Sequence, residues 1–387
     1  MFNPRLSYFL NIVCALILSI GIVGCDDSEP EPSTPRTILV YMVSNNSLGT
    51  ADADEADIAE MVVAARAGDF GRGRLMLFRA ATDNTQILYE ITKDGTLETV
   101  KTYDSNSYAI TSTRMLQVMN DAKAYAPAND YGLIMWSHAY GWTQNGQVGN
   151  APDASLKTWG DDGGHTMNIS TLADVLGASK WSFVYFDCCF MGSAEVAYEF
   201  APVLNTMVAS ASEIPLDGMP YNKNLKLLFA STPDLVGAAQ NTFDYYDSEA
   251  SEFDRTCTIG VYDLRGMRSL ATATRSIYEA STHVSVNDFD NLELALNSRP
   301  LFYDFGVYVH GMAAANGLDA SLVKAWDSAY ADVVKFYRAT PRLWNAVSLH
   351  DFTGMSTFIP RTPDDMTFRK YDTLTWYADV ASALYNK

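Results

Sequence analysis

The run Thr37-Ile38-Leu39-Val40-Tyr41-Met42-Val43 constrains the fold more than any other stretch. It is apolar without alternation and rich in β-formers, so it predicts a strand that must be covered on both faces. Similar runs recur at Leu75–Phe78, Tyr131–Trp136, Trp181–Phe186, Asn205–Ser210 and Thr256–Tyr262. Between them the period changes. Ile58, Met61, Val62 and Ala65 repeat at i, i+3, i+4 and i+7, the spacing of an amphipathic helix. Further helices are predicted over 112–125, 171–176, 193–200, 222–241 and 264–281. Gln86–Ile91 and Leu97–Tyr103 read instead as a hairpin turning at Asp94-Gly95. Strands alternating with helices predict an α/β fold, a mostly parallel sheet with helices on both faces. In such sheets function gathers at the carboxyl ends of the strands. Beyond about residue 285 the alternation weakens to a helix over 319–338, a short strand at 355–359 and a last helix over 374–385.

The N-terminus has a different character. Arg5 precedes an apolar stretch from Leu6 to Val23, which closes with Ile22-Val23-Gly24-Cys25. This is the layout of a secretory signal, and its end resembles a bacterial lipobox. The reading is a signal peptide over 1–24, removed before Cys25, whose thiol is lipidated; the competing reading is an uncleaved membrane anchor helix. Residues 25–36 form an acidic, Pro-rich tether with nothing to bury. It resembles the surface-export tether of Bacteroidetes lipoproteins. The expected address is therefore export with lipid anchoring to the outer membrane, including its outer surface.

Composition excludes one large class. The chain has 387 residues and a formal net charge of −19, with no basic cluster, so nucleic acid is not a partner. With Cys25 lipidated, Cys188, Cys189 and Cys257 remain as free thiols. Adjacent cysteines bridge each other only under strain, and three thiols make no disulfide framework. Cys257, inside a predicted strand, reads as core.

Two predicted strands end in reactive residue types. YGLIMWSHAYGW places Ser137-His138 after its strand, and WSFVYFDCCFMG places Asp187-Cys188-Cys189 after its own. If the strands are neighbours, His138 and a cysteine share one edge. A thiol with a pKa of about 8.5 needs a base or a helix N-terminus to react near neutrality. Taken singly, His138 reads as a structural histidine and the two cysteines as small core fillers. The joint pattern is what points to chemistry. Asp161-Asp162-Gly163-Gly164-His165 is rich in oxygen ligands and has a sharp turn, which suits calcium, but it lacks a full EF-hand pattern and reads as a solvated loop. No metal and no required cofactor are expected.

The segments TILVYMVSNNSL, LIMWSHAYGW, FVYFDCCFMGSAEVAYEF and SEIPLDGMPY resemble successive motifs of the clostripain-like cysteine peptidases, in the caspase–legumain–gingipain clan. YDFGVYV and GMSTFIP resemble that family's C-terminal half. The resemblance implies a caspase-like α/β/α sandwich, with a peptidase core over 37–285 and a C-terminal α/β extension over 286–387. It implies a cysteine endopeptidase acting on proteins or peptides. Cys189 would be the nucleophile and His138 its partner. The backbone N–H groups of Cys189 and Ala139 would form the oxyanion hole, with alanine where the family usually has glycine. Asp187 and Asp217 would line a pocket for Arg or Lys. The alternatives for those two are a helix N-cap and an ordinary turn. Self-cleavage in the loop between His138 and Cys189 would follow Lys157. The rival readings are an inactive caspase-like binding protein and a peptidase with another side-chain preference.

Overall fold

The structure, a computed structural model, describes residues 34–143, 147–148, 151–152, 158–282, 289, 291–293, 300–360 and 370–386. The signal segment, Cys25, most of the tether and Lys157 lie outside the described residues.

Nine strands form the central sheet: β1 (Arg36–Val43), β2 (Arg74–Ala80), β3 (Gln86–Ile91), β4 (Leu97–Tyr103), β5 (Asp130–Trp136), β6 (Phe183–Asp187), β7 (Thr206–Ala209), β8 (Thr258–Asp263) and β9 (Val334–Ala339). Their spatial order is β9-β8-β7-β6-β5-β1-β2-β3-β4. The middle of the sheet, β7-β6-β5-β1-β2, is parallel. Antiparallel strands extend it on both sides. The expected α/β architecture is therefore present.

Alternation along each central strand builds two cores. Leu39, Tyr41 and Val43 of β1, with Leu133 and Met135 of β5 and Val184 and Phe186 of β6, face one layer. Ile38, Val40 and Met42, with Ile134, Trp136, Phe183 and Tyr185, face the other. Helices cover each side, so the middle of each central strand is apolar on both faces, as its sequence required, with the charged residues near the strand ends. Helix α2 (Ala53–Ala67) buries Ile58, Met61, Ala64 and Ala65 against the second layer. A short helix α1 (Ser47–Thr50) precedes it, directly after β1.

Several boundaries differ from expectation, each for a local reason. β1 begins at Arg36, inside the expected tether, because the guanidinium is buried: its Nε donates to Asp130 Oδ2 at 2.7 Å and its Nη1 to the Leu228 carbonyl at 3.0 Å. The helix expected over 222–241 is two helices, α6 (Tyr221–Leu228) and α7 (Leu235–Asp247), with α3 (Ser112–Tyr125), α4 (Ile169–Gly177) and α5 (Ala194–Phe200) earlier in the chain. Ser231-Thr232-Pro233 breaks it, and Asp234 Oδ1 accepts the Gly237 N–H at 2.8 Å to start α7 afresh. The segment expected as helix through 338 turns at Val334 into β9 and completes the sheet edge beside β8. Lys335 and Arg338 lie on this outermost strand, where charge discourages further strand pairing.

Candidate active site

The register of the parallel core decides what meets at its carboxyl edge. Met42 pairs with Trp136, and Trp136 with Asp187. The residues just beyond these, Ser47, His138 and Cys189, therefore emerge side by side. Leu48, Trp136, His138, Asp187, Cys189 and Ile214 line a cleft of about 170 Å³ at this edge.

Cys189 sits in a turn, not at a helix start. Between β6 and α5 run Cys188–Ser193, and Ser193 is the N-cap, its hydroxyl accepting the Val196 N–H at 3.3 Å. The helix N-terminus is thus four residues past Cys189, as the helix predicted over 193–200 implies, and Asp187 is not the N-cap. Phe190, immediately after Cys189, has φ 59°, a left-handed conformation rare for a bulky residue. Packing holds it there. The Phe190 ring is buried, stacked on Phe302 at 4.6 Å and tilted against Tyr140 at 4.7 Å. Its N–H donates to the Ser212 carbonyl at 2.9 Å. Cys188 is fully packed and Cys257 is buried, as expected for core thiols. Cys189 is partly exposed, and the Ile214 N–H donates to its Sγ at 3.4 Å. Burial pushes the Cys189 thiol up to about 12; Glu213 and Asp187 add to the rise, and the Ile214 amide opposes it. The resting thiol is protonated at neutral pH.

His138 is placed by its backbone and by one hydroxyl. The Gly160 N–H donates to the His138 carbonyl at 2.9 Å, and Ala139 forms an antiparallel bridge with Trp159. Ser47 Oγ lies 2.7 Å from His138 Nε2. Ala139 is not among the residues with positive φ, so alanine fits there without backbone strain.

Asp187 and Asp217 differ sharply. Asp187 is 4 % exposed, and its carboxylate accepts the Tyr221 hydroxyl at 2.9 Å and the Met219 amide. Burial raises it to about 6 against those donors, with Glu60 adding to the rise. Gly218, φ +59°, passes close over it: a Cβ there would stand 3.1 Å from both Asp187 carboxylate oxygens. Asp217 occupies the turn just before, is exposed, and accepts the Tyr245 hydroxyl at 3.2 Å. Two further carboxyls join them. Asp57 on α2 is buried and accepts the Trp136 indole N–H at 2.6 Å. Burial, then the charge of Asp187, holds Asp57 well above the usual carboxylate range. Glu60 accepts the backbone N–H groups of Tyr221 and Asn222 at the start of α6, and burial raises its carboxyl too.

The Asp161–His165 segment is not the solvated loop expected. It is the tip of a hairpin formed by Trp159–Asp162 and His165–Met167, and Asp161 and Asp162 are both buried. Asp161 Oδ1 accepts the Gly164 N–H at 2.7 Å; Asp162 Oδ1 accepts the Asn45 side-chain amide at 2.7 Å and its Oδ2 the Ala109 N–H. These carboxylates are committed to protein donors. Among the described residues no group of three His, Cys, Asp or Glu side chains is placed to hold a metal.

Sequence reasoning did not single out Ser47, Asp57 or Phe190, which the structure places beside the cleft residues. Ser47 and Phe190 lay within quoted motifs but carried no signature of their own, and Asp57 lay in a helix with no local signature of function.

A cysteine and a histidine at adjoining strand ends of a caspase-like α/β sheet define a cysteine protease. The family model described as the clostripain family matches residues 40–358, and the chain belongs to that family. No curated protein matches. Among solved structures, the fold is similar to an inactive zymogen C11 protease from Parabacteroides distasonis, at 24 % identity and a TM-score of 0.77, covering 91 % of this chain and 99 % of that one. It is also similar to the secreted C11 cysteine protease "iotapain" from Bacteroides thetaiotaomicron, at 22 % identity and a TM-score of 0.78, covering 90 % and 99 %. A secreted C11 protease from the same organism, in complex with an irreversible peptide inhibitor, matches at 24 % identity and a TM-score of 0.74, covering 89 % and 99 %. Among the described residues no helix is long and apolar enough to cross a membrane.

Proposed function

We propose that this protease is an endopeptidase that cleaves after Arg or Lys through a Cys189/His138 pair. The observation that carries the reading is the lining of one cleft by His138, Cys189 and Asp187. Because the thiol is held protonated, attack on the scissile carbonyl is coupled to transfer of the Sγ proton to the imidazole. The backbone N–H groups of Cys189 and Ala139 receive the oxyanion. The imidazolium then protonates the leaving amine, and water hydrolyses the thioester. Asp187 forms the buried floor of the side-chain pocket and Asp217 its exposed rim. A cationic side chain is what such a pocket pairs with.

The chain is further proposed to be exported and held to the outer membrane through Cys25, with tether, peptidase core and C-terminal extension as delimited above. One similar protease is an inactive zymogen; the maturation step proposed for this chain is self-cleavage after Lys157. Fluorogenic peptides with Arg, Lys, Leu or Asp before the scissile bond test the activity. Basic substrates are expected to be cleaved at least ~100-fold faster, in keeping with the cost of an unpaired buried charge. Cys189→Ala should abolish turnover and Cys188→Ala should keep most of it. A preference for Asp or Leu, or equal loss in both folded variants, overturns the assignment.

A further inference from the structure

We propose that Ser47 is a positioning residue for His138, its hydroxyl accepting the Nε2 proton and fixing the ring so that proton transfer runs through Nδ1. The inference rests on the Cys189/His138 reading above. Its ground is the 2.7 Å approach of Ser47 Oγ to His138 Nε2, made across 91 residues of sequence by two segments that are themselves locked together. Asn46 caps α1, its Oδ1 accepting the Leu48 N–H at 2.9 Å. Its Nδ2 donates to the Val43 carbonyl at 3.0 Å and to the Asp161 carbonyl at 2.8 Å. Asn45 accepts the Gly163 N–H at 2.8 Å. On the histidine side, Ser137 Oγ donates to the Val43 carbonyl at 2.9 Å and accepts the Asp161 N–H at 3.1 Å. The hairpin Trp159–Met167 therefore grips both the Ser47 turn and the His138 strand end. Gly49 completes the fit: a Cβ there would stand 2.0 Å from the Ser44 carbonyl oxygen, so α1 folds this tightly only with glycine.

The chemistry explains why a fixed ring matters here. The Cys189 thiol keeps its proton until substrate arrives, so the imidazole must first take that proton and then deliver it. The Sγ–H bond breaks as the S–C bond forms, and the proton moves to Nδ1. It leaves Nδ1 for the amine nitrogen as the C–N bond breaks. A ring that rotated about its Cβ–Cγ bond would present the wrong nitrogen for one of these transfers. The Nε2–H···Oγ bond, strongest when the ring is cationic, opposes that rotation.

Ser47→Ala, Ser47→Thr and wild type decide the matter. With a basic peptide substrate, Ser47→Ala should lower kcat on the order of ten- to a hundred-fold with KM unchanged, a share of what positioned proton transfer supplies. Ser47→Thr, which keeps the hydroxyl, should restore most of it. In 15N-histidine-labelled protein, the His138 ring should be the Nε2–H tautomer in wild type and Ser47→Thr, and a tautomer mixture in Ser47→Ala. Wild-type kcat in Ser47→Ala, or an unchanged His138 ring signal, overturns the proposal. If wild type cleaves no peptide, the protease reading fails on that assay, while the ring signals still decide whether Ser47 fixes the histidine.

Discussion

Asp187 shows how one carboxyl can be both tool and burden. Burial raises it to about 6, above the ~3.9 of an unfolded aspartate. The folded state therefore binds its proton more tightly than the unfolded one. Its contribution to stability is fully present below about pH 4 and is lost as pH rises through about 6. Two pKa units correspond to a cost on the order of 2 kcal/mol at neutral pH. Asp187→Asn should thus be progressively more stable than wild type from pH 4 to pH 7, read from urea unfolding midpoints; a difference that is flat across that range contradicts the buried-floor reading. Residues of this kind were only half legible. Asp187 stood within a reactive motif, but Asp57 stood next to Ile58 in a predicted amphipathic helix with nothing to single it out. Only the Trp136 indole, 79 residues away in sequence, reveals it as buried.

At the scale of elements, the turn carrying Cys189 is held by the C-terminal segment. The Ser356 N–H donates to the Gly192 carbonyl at 3.0 Å. Glu195, fully buried in the first turn of α5, accepts the Thr357 hydroxyl at 2.8 Å and the Phe358 N–H at 2.9 Å on one oxygen. Glu195→Ala leaves both donors without their acceptor, so it should cost on the order of 2–4 kcal/mol and lower kcat by loosening the turn. Thr357→Val, which removes one donor, should cost about 1 kcal/mol. Thermal unfolding with activity measured in parallel checks the pair; Glu195→Ala with wild-type stability sinks the argument. Strands in the parallel core were readable because an unbroken apolar run marks a strand covered on both faces, and α3 was predicted to the residue. The short strand expected over 355–359 is present as Ser356–Thr357, but the role of the aromatic stretch around Phe302 was not legible, since its ring partners Tyr140 and Phe190 lie more than 100 residues away.

For the whole molecule, the C-terminal third is part of the structure that makes the site. Leu301, Phe302, Phe305, Phe358, Trp376 and Leu384 share one hydrophobic core with Phe186, Phe190 and Phe200, and β9 closes the sheet edge. A chain ending at Ser281 should fail to unfold cooperatively in urea and should lack near-ultraviolet circular dichroism. A truncated chain that unfolds sharply would show that the core stands without it.

The seam between β5 and β6 has His138 just past one strand and Cys189 just past the other. It is closed by five consecutive strand-to-strand pairings, from Gly132↔Phe183 to Trp136↔Asp187. β5 and β6 are direct neighbours along that seam, although 46 residues separate them in sequence. Continuity of the backbone and continuity of the sheet are therefore separate properties in this protein. A break in the connecting stretch would make two polypeptides, one ending its share of the sheet at β5 and the other starting at β6. Each alone would bare a raw hydrogen-bonding edge in the middle of an apolar core. The two polypeptides should therefore stay together as an obligate pair, with His138 on one and Cys189 on the other.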